Sequence, residues 1–293
     1  MRKIKVVIFG AGGIIGQHML ISTPEWAEPI FTRKKSFGSW TGFDVDFDNP
    51  KDFLDHFKPD AIVNLAGENR VDIVEANPEL FENVNVNFVN HLAGWVDLND
   101  SYLIQCSSQG VFSGNNPRYK PFDTPHPITE YGKHKKSAEL IALDIENSEI
   151  NRLTFVLGVR PFQEIGRKNP LEDIFEKNNQ LQVNDRFFSP IFAGECASIL
   201  WDRVRERSNS KSKINHLGNP VRCSRFSIAA DAKYYSYGSL NVNIQPVSHE
   251  YFTGIARRPY DTTWDYYTAI HKSSYEDGLI NSYIEWSKIK NEY

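Results

Sequence analysis

The first half of the chain alternates short apolar runs with polar exits. Residues 5–9 are hydrophobic enough for a buried strand, and glycines interrupt the run from Gly10 onward. Residues 13–21 read as a short helix ended before Pro24, and residues 29–32 as a second strand. Residues 53–57 carry the apolar side of a helix, and 61–65 form a strand with a polar exit. Between Pro78 and Leu98, the apolar residues Leu80, Val84, Phe88 and Leu92 recur four apart, which predicts one long helix. Residues 102–106 read as a strand running into Ser107 and Ser108, 131–145 as a helix and 153–157 as a further strand. Strand and helix alternate throughout, so the pattern predicts a mostly parallel sheet covered by helices on both faces.

After Arg160 and Pro161 the pattern changes. Strands are expected near 181–183 and 241–244, and helices at 194–206, 225–236 and 263–273. Residues 161–293 are therefore expected to form a smaller C-terminal lobe that also returns elements to the sheet built by 1–160. Four prolines between 113 and 129 mark a long loop.

The glycines at the first turn change the picture. Gly10-x-x-Gly13-x-x-Gly16 follows a strand and opens a helix, the context required of a dinucleotide-binding turn. The first glycine permits the tight turn, the second lets backbone approach a pyrophosphate, and the third allows close helix packing. Gly10, Gly13, Ile14, Ile15 and Gly16 are thus candidate cofactor-binding residues on a Rossmann-type α/β fold, with the phosphates at a helix N-terminus. At the end of the second strand stand Thr32, Arg33 and Lys34 rather than a ribose-binding carboxylate. Arg33 can fork onto a 2′-phosphate and Lys34 can add a point charge, which favours NADP(H), with NAD(H) as second choice. Asp44 and Asp46 follow a third short strand and either cap a turn or touch the adenine side. Asn64, Leu65, Ala66 and Gly67 follow the next strand, where small residues permit close approach of the cofactor and Asn64 either binds it or only holds the loop backbone in place.

Tyr131 and Lys135 lie four apart and share one helical face. Alone, that spacing describes an ordinary amphipathic helix. Ser108 at a strand exit upstream gives it chemical meaning. An ammonium beside the phenol is expected to draw its pKa toward neutrality, so that Tyr131 passes a proton to a carbonyl oxygen as hydride reaches the carbon. Lys135 would also hold the nicotinamide ribose, and Ser108 would donate to the oxygen where charge develops.

Composition narrows the alternatives. Of 293 residues 40% are apolar, enough for a substantial core, and the net charge of −4 argues against a nucleic-acid surface. No run approaches the roughly 18 apolar residues of a membrane span. The basic start resembles a leader for a few residues, but Gly10–Gly16 cuts its apolar stretch short, so it reads as a strand. Cys106, Cys196 and Cys223 are odd in number and widely spaced, with no metal pattern; a reducing cytoplasm and no metal are expected.

These motifs, together with 62–64, Val71-Asp72, Glu75-Ala76-Asn77-Pro78, Asn85, Ser107-Ser108-x-x-Val111-Phe112-x-Gly114, Asp185-x-x-x-Ser189-Pro190, His216-x-Gly218 and Arg258-Pro259, resemble extended short-chain dehydrogenase/reductases, and within them the dTDP-4-dehydrorhamnose reductase-like sugar-nucleotide reductases. The resemblance covers nearly the whole chain. It implies catalytic roles for Ser108, Tyr131 and Lys135, a supporting role on the cofactor side for Asn85, and reduction of a 4-keto group on a nucleotide-linked deoxysugar. It also implies that Gln109, Arg160, Asp185 and Arg258 contribute to recognition of a nucleotide-diphosphate sugar. The usual Ser-Thr-Asp-Tyr-Val-Phe segment is Ser107-Ser108-Gln109-Gly110-Val111-Phe112 here, so a carboxylate and a ring are missing beside the sugar. That change points to a different sugar, substituent or nucleotide. The same resemblance admits a regulatory protein like the regulatory subunit of methionine adenosyltransferase, or a nucleotide-sugar epimerase. The sequence leaves the oligomeric state open, a homodimer included.

Overall fold

The computed structural model describes residues 2–207 and 212–291. The first half comprises β1 (Ile4–Phe9), α1 (Ile14–Ile21), β2 (Ala27–Arg33), β3 (Trp40–Gly42), α2 (Pro50–Phe57), β4 (Ala61–Asn64), α3 (Val71–Ala76), α4 (Pro78–Glu82), α5 (Phe88–Asn99), β5 (Leu103–Ser108), α6 (Glu130–Leu143) and β6 (Ser148–Leu153). The second comprises β7 (Val156–Leu157), α7 (Pro170–Glu176), β8 (Asn179–Val183), β9 (Phe187–Phe188), β10 (Ile191–Phe192), α8 (Ala193–Glu206), β11 (Ile214–Leu217), α9 (Arg225–Tyr235), β12 (Asn243–Val247), β13 (Asp261–Thr262), β14 (Ala269–Ile270) and α10 (Tyr275–Asn291).

Eight strands form one parallel sheet in the order β14-β11-β6-β5-β4-β1-β2-β3. Strand order reverses at β1, and a crevice opens beyond the carboxyl ends of β1 and β4. Side chains alternate between faces. Val6 and Ile8 pack with Met19 and α8 residues such as Leu200, whereas Val7 and Phe9 pack with Leu54, Phe88 and Ala138. Both faces are therefore dry, which is why these strands read as unbroken apolar runs. A further core, including Leu171, Phe175, Ile228 and Leu279, builds the smaller lobe.

Three expected elements differ from the structure. The long helix over 78–98 is divided by a π-helical turn at Asn83–Asn87. The wider turn rotates the face, so Leu80 is 69% exposed while Phe88 and Leu92 are buried. The strand expected at 153–157 is two strands, and the one in the main sheet lies earlier, at Ser148–Leu153. Its letters are polar because they are buried in pairs: Glu149 with Arg203 at 2.6 Å, and Arg152 with Glu139 at 2.8 Å. The segment 263–273 is not a helix. Trp264 is pinned by a stack on His216 with centroids 3.9 Å apart, and Ala269 pairs in register with His216. The terminal helix is instead Tyr275–Asn291, where Gly278 lies tight against the Phe192 ring.

His216 joins these elements through one tautomer. Arg152 Nη1 lies 3.3 Å from Nε2 and can only donate, so Nε2 accepts and Nδ1–H donates to the Tyr119 carbonyl at 3.2 Å. Burial, with the neighbouring Arg152 charge, holds the His216 pKa down to about 3. An unfolded chain protonates histidine near about 6.5. Between those values the unfolded state binds a proton that the folded state refuses, so stability falls as pH falls through that window. We expect His216→Gln to be less stable at neutral pH yet to lose less stability on acidification. Urea unfolding of both proteins across that pH window checks this; parallel slopes would contradict it.

Candidate active site

The glycine turn is shaped by close contacts. Gly10 has φ +74°, and a Cβ there would lie 2.6 Å from Ala66 N. A Cβ at Gly16 would collide with the Ala11 backbone, so only glycine lets α1 sit this close to the turn. Ala11 is tied down through Ala11 N to Thr32 O at 2.8 Å and Trp40 Nε1 to Ala11 O at 3.2 Å. A Cβ at Gly13 would meet nothing nearer than Gly10 O at 3.5 Å, and Gly13 begins α1 with no capping side chain. Room and unclaimed amides thus coincide at the helix start, as an anionic diphosphate requires. Ile14 follows within the first turn, and Ile15 packs into the core beside it.

Arg33, at the end of β2, stands beside the turn: a Cβ at Gly12 would lie 3.5 Å from Arg33 Cβ. Its guanidinium lies over Phe37, 5.6 Å from the ring centroid. Lys34 is engaged by Asp44 at 3.2 Å and Asp46 at 3.6 Å. Lys34 and Asp44 therefore pair with each other, and Arg33 is the cation left beside the turn. These residues fit a dinucleotide with an extra phosphate.

At the exit of β4, Asn64 is a scaffold: Nδ2 donates to Gln105 Oε1 at 2.9 Å, and Oδ1 accepts from Ala66 N at 3.1 Å. Leu65 and Ala66 pack into the two cores on either side of the sheet. The π-helical turn carries Asn85 inward, where Oδ1 accepts from Glu68 N at 2.9 Å and Nδ2 donates to Glu68 O at 3.2 Å. Asn85 thus fixes the loop that contains Gly67. A Cβ at Gly67 would lie 3.4 Å from Lys135 Nζ, so this loop and the ammonium share one wall of the crevice.

Ser108, Tyr131 and Lys135 meet there. Thr129 caps α6 by accepting from Gly132 N at 3.0 Å. Tyr131 and Lys135, only 8% and 7% exposed, project from the buried face of the helix. Ser108 Oγ accepts from Gly110 N at 3.1 Å, and it shares the wall of Gly110 with the Tyr131 ring: a Cβ at Gly110 would lie 3.4 Å from Ser108 Oγ and 3.3 Å from the ring. Lys135 Nζ donates to Cys106 O at 3.3 Å. Burial raises the Tyr131 pKa; the neighbouring Ser108 hydroxyl opposes this, and Glu68 adds to it. Burial also lowers the Lys135 pKa. The expected drop of the phenol toward neutrality is therefore absent in the protein alone, because desolvation is the largest influence on it. A protonated phenol beside a hydroxyl is a proton donor at neutral pH.

Ser107 faces the other way and donates to Glu139 Oε1 at 2.5 Å. Glu139 follows Lys135 by one turn and receives two hydrogen bonds from Arg152, both at 2.8 Å. Glu139 and Arg152 belong to no motif in the sequence; the only signal for them is the i, i+4 spacing of Glu139 from Lys135.

The residues expected to recognise substrate are scattered. Gln109 Oε1 accepts from Thr154 Oγ1 at 2.7 Å beside the site. A Cβ at Gly110 would be 3.3 Å from the Tyr131 ring, so even alanine would crowd the phenol. Arg160 is buried in an ion pair with Glu172 at 3.0 Å and is not presented to a ligand. Asp185 accepts from Ser248 Oγ at 2.7 Å and His249 N at 2.8 Å. Arg258 pairs with Asp72 across the two halves of the molecule. Arg222 carries no signal in the sequence, yet its guanidinium lies 3.2 Å from the Phe187 ring centroid and pairs with Asp261 at 2.7 Å.

This geometry has counterparts. Residues 4–277 match the model of the RmlD substrate binding domain. Methionine adenosyltransferase 2 subunit beta of Xenopus laevis is 39% identical over 99 residues, covering 34% of this chain and 29% of that protein. The Xenopus tropicalis protein of the same name is 35% identical over 222 residues, covering 73% of this chain and 65% of that protein. The chain thus spans less than two thirds of the length of either. Among solved structures, dTDP-4-dehydrorhamnose reductase from Bacillus anthracis in complex with NADP superposes with TM-score 0.82 and 24% identity, covering 97% of this chain and 99% of that one. A hypothetical dTDP-4-dehydrorhamnose reductase from Sulfolobus tokodaii gives TM-score 0.79 and 26% identity over 95% and 99%. With its glycine turn, parallel sheet and C-terminal lobe matched from residue 4 to residue 277, the chain belongs to the RmlD substrate binding domain family.

Proposed function

We propose that this protein is an NADP(H)-dependent reductase of a 4-keto group on a nucleotide-linked deoxysugar. The observation that carries this reading is the meeting of Ser108, Tyr131 and Lys135 on one wall of the glycine-turn crevice. When bound, the cofactor supplies hydride to the carbonyl carbon. Tyr131 gives its proton to the carbonyl oxygen, and Ser108 donates a hydrogen bond as charge grows there. Lys135 holds the ribose side and restores charge balance beside the phenol. Gly110 lets the backbone lie against the Tyr131 ring, and Gln109 replaces a carboxylate with an amide held by Thr154. Three free, buried thiols support a reducing, cytoplasmic setting. No helix among the described residues is long and apolar enough to cross a membrane.

A regulatory role is the second reading, favoured by the 35% identity to the methionine adenosyltransferase subunit. A panel of dTDP-, UDP- and GDP-linked 4-keto sugars with NADPH separates the two. Oxidation of NADPH with any of them supports the reductase; a stable complex with a methionine adenosyltransferase and no turnover on any sugar supports the regulatory reading.

We expect Tyr131→Phe to keep NADPH affinity and lose about 10²–10⁴-fold in kcat, the usual contribution of a positioned proton donor. Unchanged turnover would remove Tyr131 from that role. Because burial raises the phenol pKa, wild-type reduction should persist through neutral pH and decline only on the alkaline side, as the proton is lost. Arg33→Ala should weaken NADPH by about 10–100-fold with little effect on NADH, as loss of a charged hydrogen-bond partner to the 2′-phosphate implies. Equal losses in titrations of the two cofactors would contradict that assignment.

A further inference from the structure

The segment 162–167 crosses the crevice mouth, from the glycine turn to the loop after β4. A Cβ at Gly166 would lie 2.6 Å from Gly12 O, and one at Gly12 would lie 3.7 Å from Ile165 Cγ2. At the far side, Arg167 donates to Asn69 Oδ1 and lies 3.6 Å from Glu68 Oε1. Strands β1 and β4 are neighbours, so the segment spans the two strand ends between which the diphosphate of a dinucleotide lies.

Its backbone is held firmly. Arg160 Nη1 donates to the carbonyls of Gln163 at 2.8 Å, Gly166 at 3.2 Å and Ile165 at 3.3 Å. Gln17 of α1 donates to Ile165 O and accepts from Phe162 N, both at 3.0 Å. The Phe162 ring meets Trp40 edge-on, with centroids 5.0 Å apart. The buried Arg160 thus organises the segment through its carbonyls. Arg167 lies just beyond these anchors, and its side chain is 54% exposed.

Charge at this end is unbalanced. Glu68 is already bound by Arg70 through its side chain at 2.5 and 3.0 Å and its backbone N–H at 2.8 Å. Arg167 is therefore a second guanidinium on one occupied carboxylate, beside the loop that follows β4. Resting on the rim, it is free to exchange this partner for a stronger anion.

We propose that Arg167 is a further cofactor-binding residue: the strap 162–167 holds it beside Glu68 and Asn69, and it moves onto the diphosphate of the bound dinucleotide. This rests on the cofactor reading above. The diphosphate is common to both nicotinamide cofactors, so the two should respond alike, unlike their response to Arg33.

Equilibrium titration of NADPH and of NADH, followed by protein fluorescence, tests this with the full chain and no substrate. Arg167→Ala should weaken both cofactors by a similar factor, about tenfold or more, with Arg167→Lys in between and the urea midpoint unchanged. Unaltered affinity in Arg167→Ala, or a loss confined to NADPH, would overturn the assignment while leaving the cofactor reading standing. A wild-type protein that binds neither cofactor would defeat that reading and this inference with it.

Discussion

The Glu139 carboxylate, buried between Ser107 and Arg152, is the contact on which the site depends. It locks α6 to β5 and β6 one turn beyond Lys135. Tyr131, Lys135 and Glu139 occupy successive turns of one face, so the ion pair sets how far the phenol and ammonium reach toward Ser108. A buried charge left without its partner is strongly destabilising, by about 3–5 kcal/mol. The helix therefore has little freedom to slide or turn, and the geometry at Tyr131 is fixed before any ligand arrives. Arg152 extends the same network to His216 and, through the stacked Trp264, to the edge of the sheet.

Burial sets the electrostatics of the site. It keeps the phenol protonated and disfavours the charged ammonium. The first direction suits proton delivery to a reduced carbonyl, since the donor begins loaded; the second works against the positive charge that the departing proton leaves the phenolate needing. An anionic cofactor at the glycine turn would add negative charge near Lys135 and favour its protonated form. Cofactor binding and the charge of Lys135 are thus linked in the proposed reaction.

The parts of this arrangement legible in the sequence were those governed by local rules. β1 and β4 are largely apolar on both faces, the glycine turn needs small residues at fixed steps, and Tyr131 and Lys135 follow helical spacing. The parts that escaped were governed by tertiary pairing. β6 reads as polar because Glu149 and Arg152 find their partners on other elements. The π-helical turn has no apolar signature, yet it delivers Asn85 to the loop after β4. Arg160 has the letters of a ligand-binding arginine, and only the fold shows that its donors are turned onto Glu172 and the carbonyls of 163–166. Lys34 and Asp44 read as separate cofactor contacts and are one ion pair.

The most direct test of the proposed chemistry follows the hydride itself. The protein would be incubated with NADPH deuterated at the transferable C4 position and a nucleotide-linked 4-keto deoxysugar, and the product sugar examined by mass spectrometry and NMR. One deuterium on the new carbinol carbon at C4 is expected. A sugar reduced without that label, or a bound cofactor that keeps its deuterium while every 4-keto sugar offered remains unreduced, would contradict the proposed chemistry.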